Sequence, residues 1–277
     1  MNPHQTPPTS LAALIAGLWR NRDLIRQMTW RDVLGRYRGS LLGLAWSFFN
    51  PVLMLIVYTF VFSGIFKARW GGAEDAGSHA QFALILFVGL IVNALFAEIL
   101  NRAPGLILSN VNYVKKVVFP LEILPVVAAA AAIFHALISV GVLLLALLLV
   151  AGSIPWTAVF VPIVFAPLLI LALGGAWFLA SLGVFVRDVG QTIGIVTSIM
   201  MFLAPVFYPI TAIPEAYRAW LFLNPMTFVI EQARDALIWG RSPDWIGLLA
   251  YAAGATLIAW VGYYWFQRTR KGFADVL

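Results

Sequence analysis

Chemistry inside an apolar chain needs polar groups held away from water, and this sequence supplies few. His135 stands among alanines and leucines, while Glu98 and Asn101 close a separate apolar run. A glutamate so placed reaches the aqueous interface, and a lone histidine in an apolar stretch is more often packed and hydrogen-bonded than catalytic. A proton-coupled carrier calls for an acid deep in the apolar region, and only Glu98 comes close. What is missing narrows the field further. There are no cysteines, which excludes thiolate metal sites, disulfides and a cysteine nucleophile together. His4, His79 and His135 are too scattered to act as a ligand set. Lys67, Lys115, Lys116 and Lys271 all lack a preceding glycine, so there is no phosphate loop. A Gly-x-Ser-x-Gly elbow and a His-Glu-x-x-His pair are also absent. The expectation is a chain with no catalytic residue, metal or cofactor of its own.

Two other groups of residues suggest binding. Aromatic side chains crowd one apolar run, with Trp46, Phe48, Phe49, Tyr58, Phe60, Phe62 and Phe66, and recur at Phe202, Phe207 and Tyr208. Belts at a lipid interface account for many such residues. A face rich in them also holds sugar rings by stacking, with little demand on polymer sequence. The second group is a polar, basic element, Ser109, Asn110, Asn112, Tyr113, Lys115 and Lys116, running into Phe119-Pro120-Leu121-Glu122. It is either a plain surface loop or a grip for a soluble partner.

The elements that carry these residues follow from composition. Of 277 residues, 62% are apolar and 11% charged, too little charge to cover a soluble surface. At about 20 residues per span the length holds roughly six helices and no soluble catalytic domain. The spans fall near 41–66, 82–100, 123–150, 160–186, 190–208 and 247–266, helical because lipid offers backbone groups no other partner. Pro51, Pro125, Pro162 and Pro167 are the expected kinks. The start is polar and proline-rich, unlike a cleavable signal peptide.

Charge assigns the sides. Residues 1–40, the loop 101–122, Arg187 and the tail 267–277 hold thirteen of the eighteen lysines and arginines, and the alternate loops hold five. Both termini are therefore expected in the cytoplasm. This topology also accounts for the net charge of +6, so no nucleic-acid partner is expected. After the N-cap candidate Ser10, Leu11, Leu14, Ile15 and Leu18 share a helical face, continued by Ile25 and Met28 between arginines; with Trp19 and Trp30 this is a basic amphipathic helix for the cytoplasmic membrane surface. Residues 209–240 contain an apolar run, Trp220 to Ile230, that is broken at Asn224-Pro225 and too short to span. It is either a re-entrant pair of short helices or an external cap on the bundle.

The run Arg31-Asp-Val-Leu-Gly-Arg-Tyr-Arg-Gly-Ser-Leu-Leu-Gly-Leu-Ala-Trp46 with Asn50-Pro51 resembles the entry to the first span of the type-2 ATP-binding-cassette exporters, above all the permeases for O-antigen, capsular polysaccharide and teichoic acid. Lys115 to Pro125, Arg187-Asp188-Val-Gly-Gln191, Pro205-Val-Phe-Tyr-Pro209, Asn224-Pro225-Met-Thr and Arg234-Asp235 continue the resemblance in the same order. It implies an all-α membrane protein with six transmembrane helices, an N-terminal interface helix and an external re-entrant helical hairpin. It also implies a homodimer in the bacterial inner membrane, paired with two copies of a soluble ATPase that binds ATP and Mg. The substrate would be a lipid-linked polysaccharide in a channel lined by Trp46, Phe49, Tyr58, Phe62, Phe202 and Tyr208. ATPase coupling falls to Asn110, Asn112, Tyr113, Lys115, Lys116, Phe119 and Pro120. The interface helix is marked by Arg31, Asp32, Arg36, Tyr37 and Arg38, and the outer gate by Pro209, Asn224, Pro225, Glu231, Arg234 and Asp235. An exporter of small hydrophobic molecules on the same scaffold is the first rival, and an ATP-independent carrier or intramembrane enzyme the second. A purely structural scaffold would leave the basic loop and the split segment without a reason.

Overall fold

Ser10 starts the first helix as its chemistry suggests: its Oγ accepts the Ala13 N–H at 3.2 Å, satisfying one of the helix's free donors. That start belongs to a computed structural model describing residues 9–65, 79–115 and 119–277, in which no strand occurs among the described residues. α1 (Leu11–Arg20) and α2 (Arg22–Tyr37) follow each other across Asn21. Their apolar stripe divides. Leu14, Met28 and Val33 are buried against the bundle, whereas Ile15, Trp19 and Trp30 point outward.

Next come α3 (Trp46–Tyr58), continued by a wide π-helical stretch Thr59–Ile65, and α4 (His79–Arg102). Two single turns, α5 (Gly105–Leu108) and α6 (Val111–Val114), lead to α7 (Ile123–Ala151), α8 (Val161–Phe185) and α9 (Val189–Leu203). α10 (Glu215–Leu221), α11 (Pro225–Arg234), α12 (Trp245–Thr269) and α13 (Phe273–Val276) complete the chain. Phe66, Lys67, Arg69 and Lys116 lie outside the described residues.

Among the described residues, five helical stretches are long and apolar enough to cross a membrane: Gly43–Phe62, Gln81–Arg102, Ile123–Ala151, Trp156–Phe185 and Trp245–Val276. The stretch expected at 190–208 differs. Its helix, α9, has 15 residues and stops at Leu203, after which the chain turns through Pro205. At about 1.5 Å per residue it covers ~22 Å, short of the ~30 Å hydrocarbon core. Asn101 and Arg102, assigned from sequence to the loop 101–122, form the last turn of α4. Pro125 and Pro162 sit in first turns, where a missing N–H costs nothing, so of the four expected kink points only Pro51 and Pro167 are helix-interior.

Small residues set the packing. Gly174, Ala255, Ala259 and Gly262 bring α8 and α12 so close that a Cβ on Gly262 would run into the Gly174 carbonyl. Gly183 meets the Pro104 carbonyl in the same way. Without a hydrophobic drive between helices in lipid, such backbone approach is the main source of helix association. α4 lies inside this arrangement, buried against α7, α8, α9 and α11, with Val88, Val92 and Ile99 fully covered.

Candidate functional site

The residues that looked isolated in sequence converge. α2 ends beside the C-terminal half of α4 and the N-terminal half of α7, and Arg36 Nη1 donates to Glu98 Oε1 at 2.6 Å. His135 Nδ1 lies 3.1 Å from that same oxygen and 3.0 Å from Arg36 Nη1. The arginine can only donate and the carboxylate only accept, so the two neighbours ask opposite things of that ring nitrogen. Tyr37 packs edge-on to the imidazole with ring centroids 6.0 Å apart, and burial pushes its hydroxyl above the ordinary tyrosine range, partly opposed by Arg36, so it stays a neutral donor.

One turn further in, Arg102 Nη2 donates to both oxygens of Asp32, at 2.7 and 2.8 Å. Asp32 and Arg36 are four apart on α2, and Glu98 and Arg102 four apart on α4, acid before base on both, and the two segments run antiparallel so that each acid meets a base. The helices therefore meet in one register only, since a shift by one helical turn would set Asp32 against Glu98. Those paired i,i+4 charges are the signal by which sequence could have located the contact. Arg31 extends it to the loop, its Nη2 donating to the Tyr113 hydroxyl at 3.0 Å. Arg38 follows α2 and is exposed.

Beside this ladder lies a cavity of about 770 Å³ between the end of α2, α3, α4 and α7. Its walls include Trp46, Asn50, Tyr58, Asn93 and Ser139 together with Arg36, Glu98 and His135. Two buried atoms there, Asn93 Oδ1 and His135 Nε2, have no hydrogen-bond partner among the described residues. Each such atom costs about 1–3 kcal/mol if nothing satisfies it.

The six aromatics expected to line a path separate into two places. Phe62 links Tyr58, at 6.4 Å, to Phe207, at 6.2 Å, and Phe207 lies 5.9 Å from Phe202. Phe82 of α4 joins this cluster at 5.7 Å from Phe62, a partner that sequence did not single out. Tyr208 is tied to it through its hydroxyl, which donates to the Phe202 carbonyl. Trp46 and Phe49 stand apart at the start of α3, both exposed.

In the loop, Tyr113 stacks on Phe119 at 4.2 Å. Asn110 bonds back to the Leu106 carbonyl, the Pro120 carbonyl takes the Ile123 N–H, and Asn112 and Lys115 are exposed. The loop is braced from two sides that sequence gave no hint of. Arg270 pairs with Glu122 at 2.8 Å and donates to the Phe119 carbonyl, and Trp177 donates to the Glu122 carbonyl.

At the other end, Asn224 caps α11 by accepting the Met226 N–H, Pro225 occupies the first helical position, and the Asn224 amide donates to the Met200 carbonyl at the end of α9. Pro209 caps the short turn Ile210–Ala212. Arg234 is buried, donating to the Ile85 and Val206 carbonyls and to Glu231 at 2.7 Å. It is a clamp between α11, α4 and the turn after α9. Asp235 faces Arg241 at 3.8 Å.

A bundle of helices of membrane-crossing length and composition defines a multi-pass helical membrane protein. The chain belongs to the ABC-2 type transporter family, whose pattern matches residues 23–238. It is 28% identical over 265 residues to the O-antigen export system permease protein RfbA of Myxococcus xanthus, covering 95% of this chain and 98% of that one. The RfbA of Klebsiella pneumoniae is 25% identical over 258 residues, covering 92% and 95%. The polysialic acid transport protein KpsM of Escherichia coli is 26% identical over 248 residues, covering 87% and 91%.

Proposed function

We propose that this chain is the membrane-spanning permease subunit of an ATP-driven exporter that moves a lipid-linked, O-antigen-like polysaccharide across the bacterial inner membrane. The carrying observation is the end-to-end likeness to permeases of O-antigen and polysialic acid export. Two copies of the chain pair with two copies of a separate ATPase, which holds ATP and Mg. Both termini are cytoplasmic by the distribution of positive charge. That sidedness needs an even number of crossings, so α9 completes a sixth through the turn at 204–208. The split pair α10 and α11 dips into the outer leaflet as the gate.

The physical support is local. α3 and α9 keep large apolar side chains such as Phe49, Ile56, Ile195 and Phe202 exposed, which suits a face that meets a second copy around a shared path. Aromatic rings along it hold sugars at ~1 kcal/mol each, weak enough for a chain to slide. On the cytoplasmic side, Asn112, Lys115 and Lys116 meet the ATPase, while Asn110, Tyr113, Phe119 and Pro120 shape the element. Motion there reaches the spans through Tyr113 to Arg31 and so to the ladder of α2.

Removing the chain from its host and assaying cell-surface polysaccharide tests this. Loss of the surface polymer with internal accumulation of the lipid-linked form is the expected result, together with copurification of an ATPase whose hydrolysis falls on Lys115→Ala or Phe119→Ala substitution. Transport by the purified chain without any ATPase would replace the exporter with a carrier.

A further inference from the structure

We infer that the C-terminal tail is a strut that couples the partner-facing loop to the α8–α12 pair, with Arg270 as its positioning residue. The inference rests on the exporter reading and adds a route by which motion of the ATPase enters the spans. Chain ends are ordinarily poorly ordered unless something ties them down. This one is tied at two levels. Beyond α12 the chain makes the short turn Arg270–Gly272 and enters α13, where Phe273 is fully buried, its ring 5.5 Å from Phe266 and 5.9 Å from Phe185 at the close of α8. Ahead of that plug, the partly buried Arg270 reaches the loop: Nη1 pairs with the Glu122 carboxylate and Nη2 donates to the Phe119 carbonyl, each at 2.8 Å. A planar fork is the side chain that spans two such acceptors at once.

What the fork holds is the far side of the partner-facing element. Phe119 stacks on Tyr113, and Tyr113 is held from α2 by Arg31. With Arg31 alone the stacked pair could pivot about the tyrosine hydroxyl, and the second hold at Phe119 and Glu122 fixes its orientation. Trp177 of α8 adds a third, donating to the Glu122 carbonyl at 3.0 Å. Behind these holds, α8 and α12 meet backbone to backbone at Gly174 and Gly262, and the Ser181 and Thr269 hydroxyls lie 2.6 Å apart beside Arg270. Parts packed so closely compress little and pass a displacement on. A push on the loop therefore moves α8 and α12 through the tail, alongside the path through Arg31 and α2. A tail that only finished α12 would need Phe273 but not Arg270, whose bonds to Glu122 and Phe119 leave the tail and land on the loop.

The test separates holding the loop from holding the fold. Arg270→Gln combined with Glu122→Gln removes the ion pair, leaves neither charge alone and keeps Phe273 in place. In cells whose only copy is this double variant, surface polysaccharide should fall severalfold, while the ATPase copurifies in the parent's amount, still hydrolyses ATP, and the unfolding midpoint in lipid stays at the parent value. Lys271→Ala, at the exposed neighbouring position, should leave all four unchanged. Exchanging the charges gives the rescue: Arg270→Glu and Glu122→Arg should each lose export alone and recover most of it together. Parent-level surface polysaccharide in the Gln pair, or no recovery in the exchanged pair, overturns the strut and leaves the exporter standing. A midpoint that falls in step with export makes the tail a support of the fold and also overturns it. Unchanged surface polysaccharide on deletion of the whole chain would instead remove the exporter reading, and the strut with it.

Discussion

α3 and α4 are both apolar enough to cross a membrane, yet they do opposite things with that apolarity. α4 has 72% of its membrane window buried inside the chain, whereas the window containing α3 has 6%. Hydropathy therefore measures what a helix can be dissolved in, and the partner is chosen by shape. α4 offers Val88, Val92, Leu95 and Ile99 to neighbours that have small residues or fitted branches opposite, and its Gly89 lets the Val206 backbone and the Arg234 guanidinium come close. α3 and the π-helical stretch after it leave Phe49, Leu53, Ile56 and Phe60 largely exposed. The frame is thus α4, α7, α8, α11 and α12, while α3 and α9 leave an exposed apolar face. Perturbing each side separately tests whether that division is real.

The largest effect is expected at the clamp that fixes α11 to α4. Arg234→Met removes the donors to the Ile85 and Val206 carbonyls and strands Glu231, at a cost of roughly 3 kcal/mol from unpaired buried polar groups. Thermal unfolding of the purified protein in lipid should fall sharply. Arg234→Lys should recover little of the loss, because one ammonium cannot reach three acceptors that a planar fork spans. An unchanged midpoint would mean α11 is not part of the frame.

Gly262→Val comes next. Its side chain must push α12 off the Gly174 carbonyl, costing about 1–3 kcal/mol by overpacking. Gly254→Val on the same helix meets nothing within 4 Å and should change stability only by its small propensity difference. Similar losses at both positions would show that helix propensity, and not close approach, governs α12.

The charge ladder is intermediate, and its register is what a swap exposes. Asp32→Arg alone places like charges together and should cost about 1 kcal/mol, with loss of ATPase-coupled export. Combining it with Arg102→Asp should restore most of both, the remainder being lost to repulsion between the new acid and Glu98, whose carboxylate lies 3.9 Å from Arg102 in the parent chain. Restoration by the double exchange separates a positional role from a need for those particular residues.

Much of this frame was legible in the sequence, and the exceptions have physical causes. Five span positions follow from hydropathy because lipid enforces the correspondence between apolar length and helix. α9 was over-extended because Pro205-Val-Phe-Tyr-Pro209 is apolar and adds to a hydropathy sum while the prolines turn the backbone. Asn224-Pro225 was readable as a break, since an N-cap followed by proline is a local signal. Glu98 and His135 were not readable as a pair, because 37 residues separate them and the third member, Arg36, comes from a helix outside the spans. Arg234, expected at the outer gate, is buried between α11, α4 and the turn after α9, contacts that its sequence distance from Ile85 and Val206 hides.

The smallest expected effect on folding is at the open face. Phe49→Ala and Phe202→Ala remove rings that are 43% and 65% exposed, so stability should move by no more than ~0.5 kcal/mol. Phe62→Ala is a sharper companion, since it also removes contacts to Phe82 and Phe207 and should cost more. If the face serves a second copy and the polymer, the first two substitutions should reduce surface polysaccharide severalfold while unfolding and ATPase pairing stay as in the parent chain. Normal export from both would assign the exposed rings to lipid.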